Sequence, residues 1–343
     1  LHDPLRRQRQ MCIRDRRVMS KTPITEFDIV FISYDEPNAE QNYADLLDKC
    51  PWAKRSHGVW GSDAAHKAAA ALSETERFIT IDADNIVRED FFNNELDMSR
   101  IRQTDVISWA GKNTVNGLVY GNGGIKCWPV DVVNNMRTHE AAPESDKAAQ
   151  VDFCWNIRYI QMNNVYCDVM NNGSPLQAWR AGFREGVKMG LEGGDVVDPM
   201  ELKKIHQENF KRLLVWMTVG EDATNGLWAI YGARLGCHMT NVERRKWDWR
   251  NVRDFDWLSN YFKEELFPEF EGGDELCVNT GLTWDWNKLK AKTVQLGEDL
   301  RGKLDLEISD LDHTGSRFFK KVYKNPHRMG AMVREDQVDD SIE

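Results

Sequence analysis

The sequence predicts an α/β protein, a parallel sheet with helices on its faces followed by a mostly helical C-terminal segment. Three observations carry this. Between Phe27 and Ala110, short apolar runs alternate with amphipathic segments of helical length. The 343 residues are 41% hydrophobic and 29% charged, the composition of a chain that builds a packed core. Residues 78–85, FITIDADN, end an apolar run in two aspartates, where a buried strand leaves its sheet. In an open α/β sheet, that edge is where ligands bind.

Taken in order, FDIVFIS (27–33) is a strand, DEPN (35–38) a turn, and AEQNYADLLDKC (39–50) a helix. Ser62 and Asp63 are expected to cap a helix over AAHKAAAALSE (64–74). Phe78, Ile79 and Ile81 form the next strand and TDVISWA (104–110) another. GLVYGNGGIKCW (117–128) reads as a glycine-rich loop and VDFCWNIRYIQ (151–161) as an amphipathic helix. In GSPLQAWRAGFREGVKMGL, Ser174 can cap and Pro175 suits the first turn. Leu176, Trp179, Phe183 and Val187 follow one face of that helix; Gln177, Arg180, Arg184 and Lys188 follow a neighbouring, cationic one. MELKKIHQENFKRLLVWM (200–217) is a further helix. Beyond about residue 240 the composition turns to Trp, Arg, Lys and Glu, so 21–240 is expected as one domain, 241–330 as a helical appendage and 331–343 as an acidic tail.

The net charge is −10. The first twenty residues, basic and without periodicity, resemble translated adapter sequence; they carry +4, which leaves −14 on the rest, and Met19 is the expected start. Such an acidic chain argues against indiscriminate polyanion binding but leaves room for a local basic groove. The seven cysteines are scattered without a Cys-x-x-Cys pair, so neither a zinc ribbon nor a disulfide framework is indicated. No apolar stretch approaches the ~18 residues of a membrane span, so a soluble, cytoplasmic protein with no membrane partner is expected.

Two carboxylates flanking one residue at a strand end, Asp82 and Asp84, can hold Mg²⁺ or Mn²⁺ with positions left open for phosphate oxygens. The ion then neutralises a diphosphate leaving group. Short acidic pairs also serve as turn formers or caps, and on their own these two leave both readings open.

The order of parts over roughly residues 26–240 resembles the GT-A fold of the family 2-like glycosyltransferases, a Rossmann-like mixed sheet with helices on both faces. VFISYDEPN (30–38), GSDAAHKAAAALSETERFITIDADN (61–85), YGNGGIKCW (120–128) and ESDKAAQVDFCWNIR (144–158) carry the resemblance. The family's Glu-Asp pair reads Val151-Asp152 here, and LQAWR (176–180) lacks the Trp that follows Arg in processive synthases. The resemblance implies an inverting hexosyl- or pentosyltransferase, with Mn²⁺ or Mg²⁺ and a nucleoside diphosphate sugar, foremost a UDP-sugar. It implies Asp152 as the base, Asp82, Asp84 and His238 at the metal, and Ser33, Tyr34, Asp35, Lys67, Asp82, Arg180 and Arg184 at the donor. His66 joins Lys67 as a residue that approaches the donor. A lone His such as His238 is also commonly structural, and the arginines also fit a solvated helix face.

FDIVFISYDEPNAEQNYADL, PWAKRSHGVWGSDAAHKA and SPLQAWRAGFREGVKMGL look like glycosyltransferases of tailed bacteriophages, some linked with sugar addition to 5-hydroxymethylpyrimidines. The acceptor then implied is 5-hydroxymethylcytosine in double-stranded DNA, in the cytoplasm of a host cell. Arg244, Arg245, Lys246, Arg250 and Arg253 would meet phosphates, with Trp247 and Trp249 among them for stacking, and Lys320, Lys321, Lys324 and Arg328 beyond. Packing of these aromatics within the appendage is the alternative. A glycan or protein acceptor, or a nucleotidyltransferase using the same acidic pair, are the rival functions.

Overall fold

The computed structural model describes residues 21–120, 124–147, 149–150, 153–154, 157–244, 247–323 and 332–333. Its first half runs β1 (Asp28–Ser33), α1 (Ala39–Lys49), β2 (Lys54–His57), α2 (Ser62–Ala71), β3 (Arg77–Asp82), β4 (Asn85–Val87), β5 (Val106–Asn113), β6 (Val119–Tyr120), β7 (Ile125–Pro129), α3 (Val130–Asn135) and β8 (Tyr159–Val169). Across the main sheet the order is β2-β1-β3-β7-β5-β8, with a short β9 (Met332–Val333) outside β8. β1, β2 and β3 are parallel, as are β5 and β8. Between them β7 runs antiparallel to both β3 and β5. The sheet is therefore mixed rather than wholly parallel.

Strand alternation supplies a helix layer on each face. Ile29, Phe31, Ile79, Ile81, Ile107 and Trp109 share a core with Leu46 of α1. Val30, Phe78, Val106 and Trp128 pack with Ala69 and Ala70 of α2 and Val133 of α3.

Three local expectations in the first half need correction. The α2 N-terminus starts at Ser62 with Gly61 (φ +88°) before it, so Ser62 and Asp63 lie in its first turn rather than capping it. Glu140 performs the capping from outside, accepting from Ser62 N and Asp63 N at 2.7 and 3.2 Å. The glycine-rich stretch 117–128 is half strand, since Ile125 and Cys127 are buried in the sheet between β3 and β5. The helix expected over 151–161 is absent among its described residues: Cys154 makes an isolated bridge to Thr138, and Tyr159 opens β8. Its apolar positions Ile160 and Met162 alternate with polar ones, a period of two that outweighs the helical one.

The second half is helical: α4 (Pro175–Lys188), α5 (Gln207–Trp216), α6 (Gly226–His238), α7 (Phe255–Asn260), α8 (Trp286–Leu304) and α9 (His313–Val322), with a hairpin of Glu271–Leu276 and Thr283–Trp284. The helix expected over 200–217 is split, a 3-10 segment Pro199–Lys204 preceding α5. One apolar core joins Trp179 and Phe183 of α4, Trp216 of α5 and Trp228 of α6 to Leu258, Phe270, Leu289 and Leu300. Residues 241–308 thus share the core of the helices before them instead of standing apart. α4 and α6 lie unusually close. A Cβ at Gly182 would sit 1.9 Å from the Ala229 carbonyl oxygen, and one at Gly232 2.3 Å from that of Trp179. No helix among the described residues is long and apolar enough to cross a membrane. The six described cysteines are buried and free, as their spacing suggests.

Candidate functional site

Asp82 ends β3 and Asn85 begins β4, so Ala83 and Asp84 form a turn at the carboxyl edge of the sheet. Backbone bonds hold both sides of it. Asp82 N donates to Gly124 O at 3.1 Å, and Met170 N, just past β8, donates to Asp84 O at 2.6 Å. The buried Asn42 of α1 donates to Ala83 O at 2.8 Å, and Asn85 Nδ2 to Asp84 Oδ1 at 2.8 Å. Gly124 is there because the approach is close: a Cβ would lie 2.3 Å from Asn85 Nδ2 and 2.6 Å from Asp82 Cβ. The turn that carries the two carboxylates is consequently held from both sides.

Charge converges on this turn from two sides. Desolvation, then the neighbouring Asp82 and Glu36, push the Asp84 carboxyl up to about 7. Glu36 is itself raised, first by burial, with Asp35 adding to it and the bond from Tyr34 N opposing it. Opposite stand Arg180 and Arg184, both held below the usual guanidinium range by burial; Asp35, Glu36 and Asp84 pull Arg180 back up. The two guanidinium carbons lie 4.6 and 4.9 Å from the Phe255 ring centroid, and Arg184 Nε donates to Val252 O. The cationic face of α4 therefore packs against the protein, with Arg180, Arg184 and Lys188 half-buried.

The start of α4 explains this placement. Ser174 Oγ accepts from Gln177 N, and the side chain of Gln177 accepts from Gly173 N while its amide reaches Asn38 Oδ1 at 3.5 Å. Asn38 in turn donates to Met170 O at 2.9 Å. The first turn of α4, the 35–38 turn and the end of β8 form one bonded unit, and Arg180 follows one helical turn later.

The remaining expected residues fall into three groups. Ser33, Tyr34 and Asp35 do lie at the same edge. Ser33 Oγ is 2.9 Å from His57 Nδ1 and accepts from Arg55 Nε, while the exposed Tyr34 ring meets Trp60 edge-on at 5.4 Å. His66 is buried against Phe153 and Trp128, with its pKa lowered by burial and Asp82 opposing that shift, so it adjoins the acidic pair. Lys67 instead pairs with Asp63 on its own helix at 2.7 Å. His238 is not brought to the aspartates: its ring nitrogens lie 3.4 Å from Glu243 and 3.4 Å from Asp299, at the far end of α6. Asp152 lies outside the described residues, as do Arg245, Lys246, Lys324 and Arg328.

The set expected to meet nucleic acid is mostly engaged inside the protein. Trp247 stacks on Trp257 and abuts Phe183, and Trp249 packs against the same core. Arg244 donates to Val197 O, Arg250 to Gln150, and Arg253 to His139 O. Lys320 pairs with Asp222 at 2.7 Å. Among the described residues, no three His, Cys, Asp or Glu side chains form a ready metal cage. Asp82 and Asp84 are the two carboxylates at this turn that could hold an ion, whose other ligands would have to come from phosphate and water.

Glu36, Asn42, Trp60 and Glu140 were not singled out in the sequence. Glu36 sat in a stretch whose turn-forming residues gave it a sufficient local explanation, and the other three act across long separations. No family model and no curated protein sequence matches the chain.

Proposed function

We propose that the chain is a GT-A glycosyltransferase, moving a sugar from a nucleoside diphosphate sugar to an acceptor hydroxyl. The observation that carries this reading is the acidic turn Asp82-Ala83-Asp84 at a sheet's carboxyl edge, faced by Arg180 and Arg184. The mixed sheet with a helix layer on each face supports it. In this mechanism Asp84, with Asp82, would hold a Mn²⁺ or Mg²⁺ ion. Bound there, the ion supplies charge neutralisation for the donor diphosphate. Arg180 and Arg184 stabilise the charge that grows on the leaving diphosphate, favoured by their desolvated surroundings. Their stacking on Phe255 limits reorganisation. The exposed Tyr34 and Trp60 rings offer aromatic surface for the nucleoside. Asp152 would take the proton of the acceptor hydroxyl as the anomeric bond forms.

The proposed acceptor is 5-hydroxymethylcytosine in DNA, on the strength of the sequence resemblance. A glycan or protein acceptor is favoured by two facts: Trp247 and Trp249 pack inward, and the chain is acidic. Incubation with Mn²⁺ and a pool of nucleotide-sugars, followed by mass spectrometry of nucleosides from hydroxymethylated and unmodified DNA, separates the two. A hexose or pentose mass on the hydroxymethylated base alone supports the DNA acceptor. Metal-dependent release of nucleoside diphosphate without any mass gain on DNA points to glycan or protein. Release of pyrophosphate from a nucleoside triphosphate would instead make the protein a nucleotidyltransferase.

A further inference from the structure

The carboxyl edge of β5 and β8 carries a second feature that the metal and donor chemistry of the proposed transfer does not use. A cavity of about 380 Å³ opens there, and its walls include Lys112, Asp168, Arg317, Lys320 and Lys321. Two of these charges are already compensated. Asp168 takes a bidentate pair from Arg88 at 2.8 and 3.2 Å. Lys320 is bound by Asp222 at 2.7 Å and by the carbonyl of Val115 at 3.1 Å. Lys112, Arg317 and Lys321 are exposed and have no ion-pair partner among the described residues. Three uncompensated cations around one concavity invert the sign of a chain whose net charge is −10.

Packing holds these cations together against their mutual repulsion. Arg317 and Lys321 are one turn apart on α9 and share a face. α9 is anchored by Ser316, which is fully buried and accepts from Gly220 N at 3.2 Å. The stem of Lys320 lies against Gly117, in the left-handed region at φ +77°, where a Cβ would come within 3.2 Å of Lys320 Cγ. Lys112 projects from β5 opposite Asp168, its register partner on β8. A rigid strand and an anchored helix thus present like charges to one space, an arrangement that a multiply charged anion stabilises and that a neutral ligand does not. Lysine and arginine donors from different directions suit the three terminal oxygens of a phosphoryl group. Phe318, 64% exposed, stands beside Arg317 on the same helix.

We propose that this cavity is a phosphate-binding site, built from Lys112, Arg317 and Lys321 and distinct in its residues from the Asp82/Asp84 site. It is independent of the metal and donor assignments, and shares only Lys321 with the residues expected to meet DNA phosphates. The phosphate is carried either by a polynucleotide, with Phe318 as a stacking surface, or by a small phosphorylated molecule. Asp168 lies two residues before Met170, whose N–H meets Asp84 O, so the cavity is roughly 7 Å back along β8 from the acidic turn. A phosphate held there would sit close enough to orient a substrate on the same edge.

The test uses the full chain and two probes, a fluorescein-labelled single-stranded oligonucleotide followed by anisotropy and inorganic pyrophosphate followed by calorimetry. The triple variant Lys112→Ala, Arg317→Ala, Lys321→Ala is compared with wild type and with Lys211→Ala, Lys263→Ala, Lys303→Ala, which removes equal charge from exposed positions elsewhere. All six side chains are exposed, so unchanged melting is expected of both variants. Wild type and the remote variant should bind at least one probe, and the cavity variant should bind it roughly tenfold or more weakly. For the oligonucleotide, the slope of log affinity against log salt should also fall by about 2. Oligonucleotide binding identifies a polynucleotide as the source; pyrophosphate binding alone identifies a small phosphorylated molecule. Binding of neither probe by wild type overturns the proposal, as does equal weakening in both variants.

Discussion

At the scale of single residues, the charge of Asp84 is unfavourable because burial, Asp82 and Glu36 outweigh the opposing Arg180. The folded-state value of about 7 for Asp84 lies above its ordinary 3.8. The folded protein therefore keeps a proton that the unfolded chain has lost, and this group's contribution to stability falls as pH rises from about 4 to about 7. Metal-free protein should show that component in its melting temperature between pH 5 and 7.5, and Asp84→Asn should remove it, melting several degrees higher than wild type at pH 7.5. Mn²⁺ should raise the melting temperature of wild type, more at pH 7.5 than at pH 5 because the ion needs the carboxylate, and should leave Asp84→Asn unmoved. Differential scanning fluorimetry across pH, with and without Mn²⁺, reads both effects. Arg180→Ala should lower turnover of the donor by roughly 10²-fold, an effect of the size seen when one transition-state donor is removed, and steady-state kinetics would record it. The turn position of Asp82 and Asp84 was legible in the sequence because an apolar strand pointed straight at them. His238 was not, since position along a chain carries no distance, and its ring faces Glu243 and Asp299.

At the scale of elements, α4 and the glycines that seat it decide whether the arginines reach the acidic turn. Gly182 and Gly186 of α4 meet the Ala229 and Ala233 carbonyls, while Gly232 and Gly236 of α6 meet those of Trp179 and Phe183. Gly232→Ala must push the helices apart, with an expected cost of about 1–3 kcal/mol or more in denaturant unfolding. Donor turnover should fall with it, although the substitution touches no ligand. Gly124→Ala should act differently: its Cβ would strike the side chains of Asp82 and Asn85, so loss of metal-induced stabilisation should exceed any loss of stability. A melt with and without Mn²⁺ separates the two. The Ser174 cap and the apolar face of α4 were readable from residue order alone. β7 and β8 were not, because glycine-rich sequence hid one strand and a short apolar run of either period fitted the other.

At the scale of the whole molecule, the two halves are a sheet that carries the acids and a helical body that carries the cations. The change in composition near residue 240 suggested a boundary, yet the core crosses it. Aromatic residues gathered after 240 fill the interior, as Trp247, Trp257 and Tyr261 do beside Phe183. Composition registers that tryptophans cluster but not which way they face. Arg234 on α6 secures this body: it is 1% exposed and bonds Met217 O, Thr293 O, Ser309 O and Asp310. Arg234→Ala should cost about 1–3 kcal/mol or more in chemical unfolding, because three carbonyls lose their donor and Asp310 keeps only Arg301. Truncation after residue 240 should leave an aggregating fragment by size-exclusion chromatography. The most direct test of the function is release of nucleoside diphosphate from nucleotide-sugars by the purified full chain, assayed with and without Mn²⁺. Release that requires the ion, disappears in Asp84→Ala and drops sharply in Arg180→Ala is the predicted result. Absence of release from every nucleotide-sugar, or release indifferent to Asp84→Ala, would contradict the assignment of this turn as a glycosyltransferase metal site.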